Sequence, residues 1–162
     1  MTRRALVVAA GLATVAAVLN RARGAGASEP EESFEVTKTD AEWKSTLTPA
    51  QYAVLRKHGT EPGGSSPLNK EHRAGTFLCA ACALPVYSSK TKYESGTGWP
   101  SFWAPIDGGV GTTIDRSLVE TRVEVHCHRC GGHLGHVFDD GPRPTGKRYC
   151  MNGVAMTFSP ST

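Results

Sequence analysis

The sequence predicts a mainly β domain preceded by short helices, and two observations support this fold class. The 162 residues include 18 glycines and 10 prolines, a content that favours turns over long helices. From Gly75 onward, β-favouring runs alternate with turns, and the clearest runs are Thr76–Cys79, Pro85–Tyr87, Arg122–His126 and Arg148–Phe158. A chain of this length is typical of one domain with a tail.

Two short helices are predicted before the β region. Thr48-Pro49-Ala50-Gln51 has the pattern of a capping box, in which Thr48 caps the helix and Gln51 reaches back. This helix is expected to end at His58-Gly59. A shorter helix is expected around Asp40–Ser45, and Glu61–Asn69 is predicted to be a loop because it is rich in proline, glycine and serine.

The net charge of +3 is unevenly distributed along the chain. Residues 1–27 contain four arginines and no acidic residue, so the remaining 135 residues contain 14 basic and 15 acidic residues. With a net charge of −1, this body gives no electrostatic support for binding nucleic acid, and we expect no nucleic-acid partner.

The N-terminal residues have the features of a bacterial export signal. Arg3 and Arg4 precede the uncharged run Ala5–Leu19, and Ala25-Gly26-Ala27 supplies the small residues of a cleavage site. The paired arginines are similar to those of twin-arginine signals. We therefore predict an export signal at 1–27, a linker at 28–40, a domain at 41–162 and a periplasmic mature protein. The alternative is an uncleaved signal that anchors the protein in the membrane.

Two CxxC pairs are the strongest chemical signal in the sequence. Cys79 and Cys82 form the first pair, and Cys127 and Cys130 form the second. Each CxxC turn can direct two sulfurs at one centre, so the two pairs predict a structural zinc site of four thiolates, a zinc-knuckle pair. The alternative is disulfide bonding within the pairs, which an exported protein permits.

Cys150 has no partner once the other four cysteines are assigned to zinc. Strand periodicity places Arg148, Cys150 and Asn152 on one face, where the cationic Arg148 would favour the thiolate and Asn152 could donate to a bound oxygen. An unpaired, cation-flanked cysteine is a candidate nucleophile. The alternative is an inert cysteine buried in a core strand.

Histidines and tryptophans supply the remaining candidate site residues. His133 and His136 follow the second cysteine pair and offer proton donors near Cys150, although an HxxH pair also suits a second metal site or the protein surface. Trp99 and Trp103 lie among glycine and proline, a setting that suits either an aromatic wall beside a ligand or plain hydrophobic packing.

Seven stretches between Glu42 and Pro160 share their sequence and order with one enzyme family. They are Glu42-Trp43, Leu47-Thr48, Ser95-Gly96-Thr97-Gly98-Trp99-Pro100-Ser101-Phe102, His133-Leu134-Gly135-His136-Val137-Phe138, Asp140-Gly141-Pro142, Thr145-Gly146 and Arg148-Tyr149-Cys150-Met151-Asn152. Together they resemble the type B methionine sulfoxide reductases, which act on the R epimer of the sulfoxide. The implied fold is two small antiparallel sheets with N-terminal helices.

The resemblance implies a role for each candidate residue. Cys150 lies where the family has its nucleophile, which becomes a sulfenic acid, and Arg148 lies where the family has the arginine that activates it. The residues that match those binding and protonating the sulfoxide oxygen are His133, His136 and Asn152. Trp99 matches the wall that packs the substrate methyl group, and the four knuckle cysteines match the zinc ligands of many members.

Thr97 departs from the family pattern, because many members carry a resolving cysteine there. The resemblance therefore implies that an external thiol, such as a thioredoxin-like protein, reduces the sulfenic acid. The implied substrate is methionine sulfoxide, free or in oxidatively damaged exported proteins that need repair, and the enzyme is expected to be a monomer. Two other hypotheses for the function remain open. One is a zinc-ribbon-like binding module with a buried Cys150, and the other is a disulfide oxidoreductase that uses the CxxC pairs.

Overall fold

The computed structural model describes residues 33–162, which form two antiparallel sheets preceded by two helices. The helices are α1 (Asp40–Thr46) and α2 (Pro49–Lys57). The strands are β1 (Gly75–Cys79), β2 (Pro85–Ser88), β3 (Lys92–Tyr93), β4 (Ser101–Phe102), β5 (Val110–Asp115), β6 (Arg122–Cys127), β7 (His133–Phe138), β8 (Arg148–Met151) and β9 (Met156–Pro160). The predicted mainly β fold with two sheets and short N-terminal helices is confirmed.

Both helices begin at the capping residues that their sequences indicate. Thr48 accepts a hydrogen bond from the Gln51 backbone, and the Gln51 side chain accepts one from the Thr48 backbone, which completes the predicted capping box. Thr39 and Glu42 form the same arrangement at the start of α1. The left-handed backbone of His58, with φ of 54°, ends α2 where the sequence predicts.

The two sheets differ in size and share the hydrophobic core. The larger sheet has the strand order β3-β4-β8-β7-β6-β5, and the smaller has the order β2-β1-β9. Tyr87 from β2 stacks on Phe102 from β4 at 4.2 Å between ring centroids, and Phe77 from β1 meets the same ring edge-on at 4.9 Å. All three rings are fully buried, so aromatic packing joins the smaller sheet to the larger one.

The predicted run Arg148–Phe158 is not one strand, and this prediction was wrong. The chain leaves the larger sheet after Met151, makes a short 3-10 turn over Gly153–Ala155 and enters the smaller sheet as β9. A Cβ atom on Gly153 would lie 1.9 Å from Ser66 Oγ, so the turn needs glycine at this close approach. Asn152 therefore follows β8 instead of lying within it.

Strands β3, β4, β5 and β7 were not predicted: β3 and β4 have two residues each, and glycine or histidine interrupts the apolar residues of β5 and β7. The runs predicted for β1, β2 and β6 agree with the structure to within one residue at each end. The predicted loop before β1 contains one short 3-10 helix, Pro67–Lys70.

The predicted export signal, 1–27, and the first residues of the predicted linker lie outside the described residues, and the domain boundaries stay predictions. Within residues 33–40, the Val36 N–H donates to the Arg129 carbonyl, and the Phe34 ring meets the His126 ring edge-on. Across residues 33–162, no helix has the length and apolar character needed to span a bilayer.

Candidate active site and metal centre

The four knuckle cysteines converge on one point. Their sulfurs all lie within 4.8 Å of one another, with Cys79 and Cys130 at 3.8 Å and Cys82 and Cys127 at 3.4 Å. Four sulfurs bound to one zinc at about 2.3 Å would be separated by about 3.8 Å, so the cluster fits a tetrahedral thiolate site. All five cysteines, which lie within the described residues, are free, and the alternative of disulfides within the CxxC pairs is not observed.

The two knuckles use the same backbone hydrogen bonds. The Ala83 N–H donates to the Cys79 carbonyl, and the Gly131 N–H donates to the Cys127 carbonyl, one residue beyond each CxxC turn. Both donors lie in the left-handed region, with φ of 57° at Ala83 and 64° at Gly131. A glycine meets this requirement without strain, which explains Gly131 behind the second knuckle.

The cluster connects the two sheets, because Cys79 ends β1 in the smaller sheet and Cys127 ends β6 in the larger. Hydrogen bonding with Cys127 is the largest influence on both partners of the first knuckle, and it raises the pKa of Cys79 and lowers the pKa of Cys82. Zinc binds cysteine as the thiolate, so a bound dication would hold all four sulfurs deprotonated.

Cys150 lies in the middle of the larger sheet. Its strand, β8, runs between β4 and β7, where Cys150 pairs with Ser101 on one side and His136 on the other. The residue is partly exposed, and its sulfur lies 3.8 Å from Thr97 Oγ1. Thr97 belongs to a chain of hydroxyl groups, since Ser95 Oγ lies 2.8 Å from Thr97 Oγ1 and 2.7 Å from Ser101 Oγ. The alternative of a fully buried, inert Cys150 does not fit this exposure.

A β-bulge in β7 places His133 and His136 near one another. Residues three apart in a regular strand face opposite sides, but Leu134 has no pairing partner on β6, because Val125 pairs with Gly135 and His126 with His133. The extra residue brings the two imidazole rings to 5.3 Å between centroids. The bulged Leu134 carbonyl also accepts both the backbone and the side-chain N–H of Asn152.

Each histidine is paired with a carboxylate, His133 with Glu124 from the neighbouring strand β6 and His136 with Asp115 from β5, one strand further away. His133 Nδ1 lies 2.6 Å from Glu124 Oε1, and His136 Nε2 lies 2.8 Å from Asp115 Oδ2. Such pairs orient an imidazole and stabilise its protonated form. His133 is 1% exposed, and its Nε2 has no hydrogen-bond partner among the described residues. His133 is therefore held at one nitrogen while the other remains for a ligand.

The pKa shifts around the two histidines follow from burial and these pairs. Burial would raise the pKa of Glu124, but its hydrogen bond to His133 and the nearby His58 hold that pKa below the usual value. Hydrogen bonds from Ser117, then from His136 and Arg122, hold the pKa of Asp115 far below its usual range. Burial lowers the pKa of His136, and its bond to Asp115 offsets part of this effect. Both carboxylates are therefore ionised at neutral pH.

A cavity of about 210 Å³ opens beside these pairs and is lined by both histidines and both carboxylates. His58, at the end of α2, lies on its wall and contacts the same Glu124 oxygen at 2.9 Å. Sequence reasoning assigned nothing to His58, Glu124 or Asp115. Their roles arise from strand register and from the position of the α2 end, which no local sequence pattern reveals.

Arg148 shares a strand face with Cys150 but is bound to Asp140. Its Nε and one terminal nitrogen each lie 2.8 Å from an Asp140 oxygen, and the guanidinium lies 4.3 Å from the centre of the Phe138 ring. The hydrogen bond to Asp140 is the main cause that raises the pKa of Arg148, and the charge of Cys150 contributes less. Asp140 thus offsets part of the positive charge predicted to act on Cys150.

Asn152 and Trp99 are held by the segment that follows α2. Asn152 is 3% exposed, and its Oδ1 accepts the Glu61 N–H at 2.9 Å. Trp99 Nε1 donates to the Glu61 carbonyl at 3.1 Å. Trp103 is partly buried and belongs to no strand, as its sequence context suggested. The structure thus brings Cys150 and the two histidines to adjoining strands, with Asn152 directly after β8 and Trp99 connected to Asn152 through Glu61.

Comparison with known proteins identifies the family. A SelR domain model matches residues 47–160. A protein from Leptospira interrogans named peptide methionine sulfoxide reductase MsrB is 53% identical over 127 residues, which cover 78% of this chain and 97% of the relative. This chain belongs to the SelR domain family.

Relatives in this family come from distant organisms. The Methanosarcina barkeri protein with the same name is 53% identical over 124 residues, covering 76% of this chain and 87% of the relative. Peptide methionine sulfoxide reductase B1, chloroplastic, from Arabidopsis thaliana is 46% identical over 129 residues, covering 79% of this chain and 64% of the relative. The resemblance drawn from the seven sequence stretches is confirmed at the level of the family.

Proposed function

We propose that this protein reduces the R epimer of methionine sulfoxide to methionine through a sulfenic acid on Cys150. Family membership supports its assignment as a peptide-methionine (R)-S-oxide reductase, an oxidoreductase. The observation that carries the mechanism is the pairing of Cys150 with His136 across β7 and β8, beside a second carboxylate-paired histidine.

The proposed reaction moves one oxygen atom between two sulfurs. The Cys150 thiolate attacks the sulfoxide sulfur while the oxygen takes up a proton, and methionine then leaves. The methionine sulfur is reduced by two electrons, and Cys150 is oxidised from thiolate to sulfenic acid, which retains the oxygen and the proton. Methionine sulfoxide, free or in an oxidised protein, is the substrate.

His133 and His136 are the proposed proton donors. A sulfoxide sulfur becomes electrophilic as its oxygen takes a proton, so the nucleophile needs an acid beside it. Glu124 binds His133 at Nδ1, which leaves Nε2, without a hydrogen-bond partner among the described residues, as the nitrogen proposed to donate the proton. Asn152 has a second amide hydrogen, beyond the one given to Leu134, to orient the oxygen, and Trp99 packs the substrate methyl group.

Regeneration of Cys150 is proposed to need an external thiol, such as a thioredoxin-like protein. Four of the five cysteines belong to the knuckle cluster, and Thr97, whose Oγ1 lies 3.8 Å from the Cys150 sulfur, carries a hydroxyl in place of a thiol. A hydroxyl cannot form a disulfide. Reduction of the sulfenic acid therefore requires a thiol from another molecule.

Structural zinc is the proposed occupant of the knuckle cluster. The set of four cysteine sulfurs and their near-tetrahedral separations suit zinc and leave no position for substrate. The residues that would hold it are Cys79, Cys82, Cys127 and Cys130. Its contribution would be to the fold.

The proposed setting is the periplasm, where the enzyme would repair oxidised exported proteins. The support is the arginine-led, acid-free sequence of residues 1–27. We expect the mature protein to begin at Ser28, as N-terminal sequencing of the native protein would show. Replacing both Arg3 and Arg4 with lysine should block export by a twin-arginine route. Native protein that is cytosolic and still begins at Met1 would contradict the proposed export.

The decisive experiment measures turnover of the two separated sulfoxide epimers with a dithiol reductant. We expect methionine from the R epimer and none from the S epimer. One equivalent of the R epimer without reductant should leave a sulfenic acid on Cys150 that dimedone traps, visible by mass spectrometry. A disulfide between Cys150 and a knuckle cysteine would instead contradict the need for an external thiol.

A further inference from the structure

Glu61 connects three parts of the candidate site through its backbone and its side chain. Its N–H donates to Asn152 Oδ1 at 2.9 Å, and its carbonyl accepts from Trp99 Nε1 at 3.1 Å. Its carboxylate accepts the backbone N–H groups of Gly153 at 2.6 Å and Val154 at 2.9 Å. The residue is 8% exposed, so these four hydrogen bonds have little competition from water.

The hydrogen bonds to Glu61 fix the orientation of Asn152. The amide oxygen accepts from Glu61, and the amide nitrogen donates to the Leu134 carbonyl at 3.1 Å. A flipped amide would place its NH₂ group against the Glu61 N–H and its oxygen against a carbonyl. The free amide hydrogen therefore has one direction, which Glu61 and Leu134 set together.

The same segment holds the indole of Trp99 on two sides. The Glu61 carbonyl binds the indole nitrogen, and Gly63 packs on the ring, where a Cβ atom would lie 3.3 Å from Trp99 Cη2. The carboxylate of Glu61 ties this segment to the backbone immediately after Asn152. A shift of the carboxylate would move both the indole and the amide.

We propose that Glu61 is a positioning residue for methionine sulfoxide reduction, acting through Trp99 and Asn152. This inference rests on the proposed function, because it takes those two side chains as contacts of the substrate. Its carboxylate offers one oxygen to the buried N–H group of Gly153 and the other to the partly buried N–H group of Val154. A glutamine would offer one oxygen and turn an NH₂ group toward the other N–H, leaving two donors face to face.

The test compares Glu61→Gln with wild-type protein in kinetics and in NMR spectra. We expect kcat/KM for the R epimer to fall by about tenfold or more, with a higher KM from the displaced indole and a lower kcat from the displaced amide. The Trp99 indole N–H signal, assigned with Trp99→Phe, should move and exchange faster with solvent. Since this signal is read in free protein, it decides the role of Glu61 even if wild-type protein fails to reduce the R epimer.

Two matched controls separate positioning from general damage. Glu71→Gln makes the same chemical change at a carboxylate that pairs with Arg73, and it should leave kcat/KM and the Trp99 signal unchanged. Val86→Ala removes buried volume in the smaller sheet, so it should lower the melting temperature without moving the Trp99 signal.

Three results would overturn the proposal. One is a Glu61→Gln protein with unchanged kcat/KM, and another is a loss of activity without any change in the Trp99 signal. If Glu61→Gln does not fold, wild-type protein still decides the question: slow exchange of the Trp99 indole N–H supports the proposal, and exchange at the rate of a free indole overturns it.

Discussion

Replacing Cys150 with serine should lower turnover of the R epimer by at least about a thousandfold, because a neutral hydroxyl is a far weaker nucleophile than a thiolate. The fold should remain intact, since Cys150 is a partly exposed residue that does not belong to the buried core. Chromatographic detection of methionine from the R epimer measures the effect.

Replacing either His133 or His136 with glutamine should cost less than the loss of Cys150, about 10²–10⁴-fold for one general acid. The order of these effects separates the enzyme from its alternatives. A Cys150→Ser protein that still reduces the R epimer would show that another cysteine, or another protein in the preparation, carries the activity. A zinc-ribbon-like binding module would keep its binding function after each of the three substitutions.

Loss of the metal should have the largest effect on stability. We expect the protein to bind one zinc ion per chain, and Cys127→Ser to lower the free energy of unfolding by more than about 3 kcal/mol, because metal-binding energy is folding energy at such sites. This loss is a large share of the ~5–15 kcal/mol that stabilises an ordinary domain. Elemental analysis and thermal unfolding, with and without a chelator, measure both quantities.

Cys150→Ser is the matched control for the metal experiment, since it makes the same chemical change outside the cluster. It should retain zinc and the wild-type melting temperature. Three results together would contradict the metal site. Wild-type protein would contain no zinc, would show two disulfides by mass spectrometry, and would have the same melting temperature with and without chelator.

Local sequence patterns predicted the elements that depend on local chemistry. The capping box at Thr48 and Gln51 and the two CxxC turns were readable because their partners lie within a few residues. The break after Met151 was not readable, because the turn depends on Glu61 and Ser66, which lie more than eighty positions earlier. Strand periodicity alone predicted that the strand continues through Asn152, which it does not.

The sequence predicted the main residues of the candidate site but not the carboxylates that hold its histidines in place. Cys150, His133 and His136 stand in long stretches that resemble a known family, whereas Glu124 and Asp115 acquire their roles from strand register. Register in a sheet depends on pairing between distant segments, and the bulge at Leu134 changes which side each histidine faces. Neither follows from alternation within β7 alone.

The bulge at Leu134 also determines where the chain can accept the insertion or deletion of a residue. Removing Leu134 would leave His133 and His136 two positions apart, the spacing that places both on one face of a regular strand. The same one-codon deletion would remove the bulged carbonyl that accepts two N–H groups of Asn152, so the histidines would keep their face while Asn152 lost its support. The turn between β5 and β6 is different, because Leu118 and Val119 are exposed, and extra residues would extend into solvent. We therefore expect length changes to be tolerated at that turn and rejected at the bulge in β7, where the extra residue supplies the carbonyl that holds Asn152.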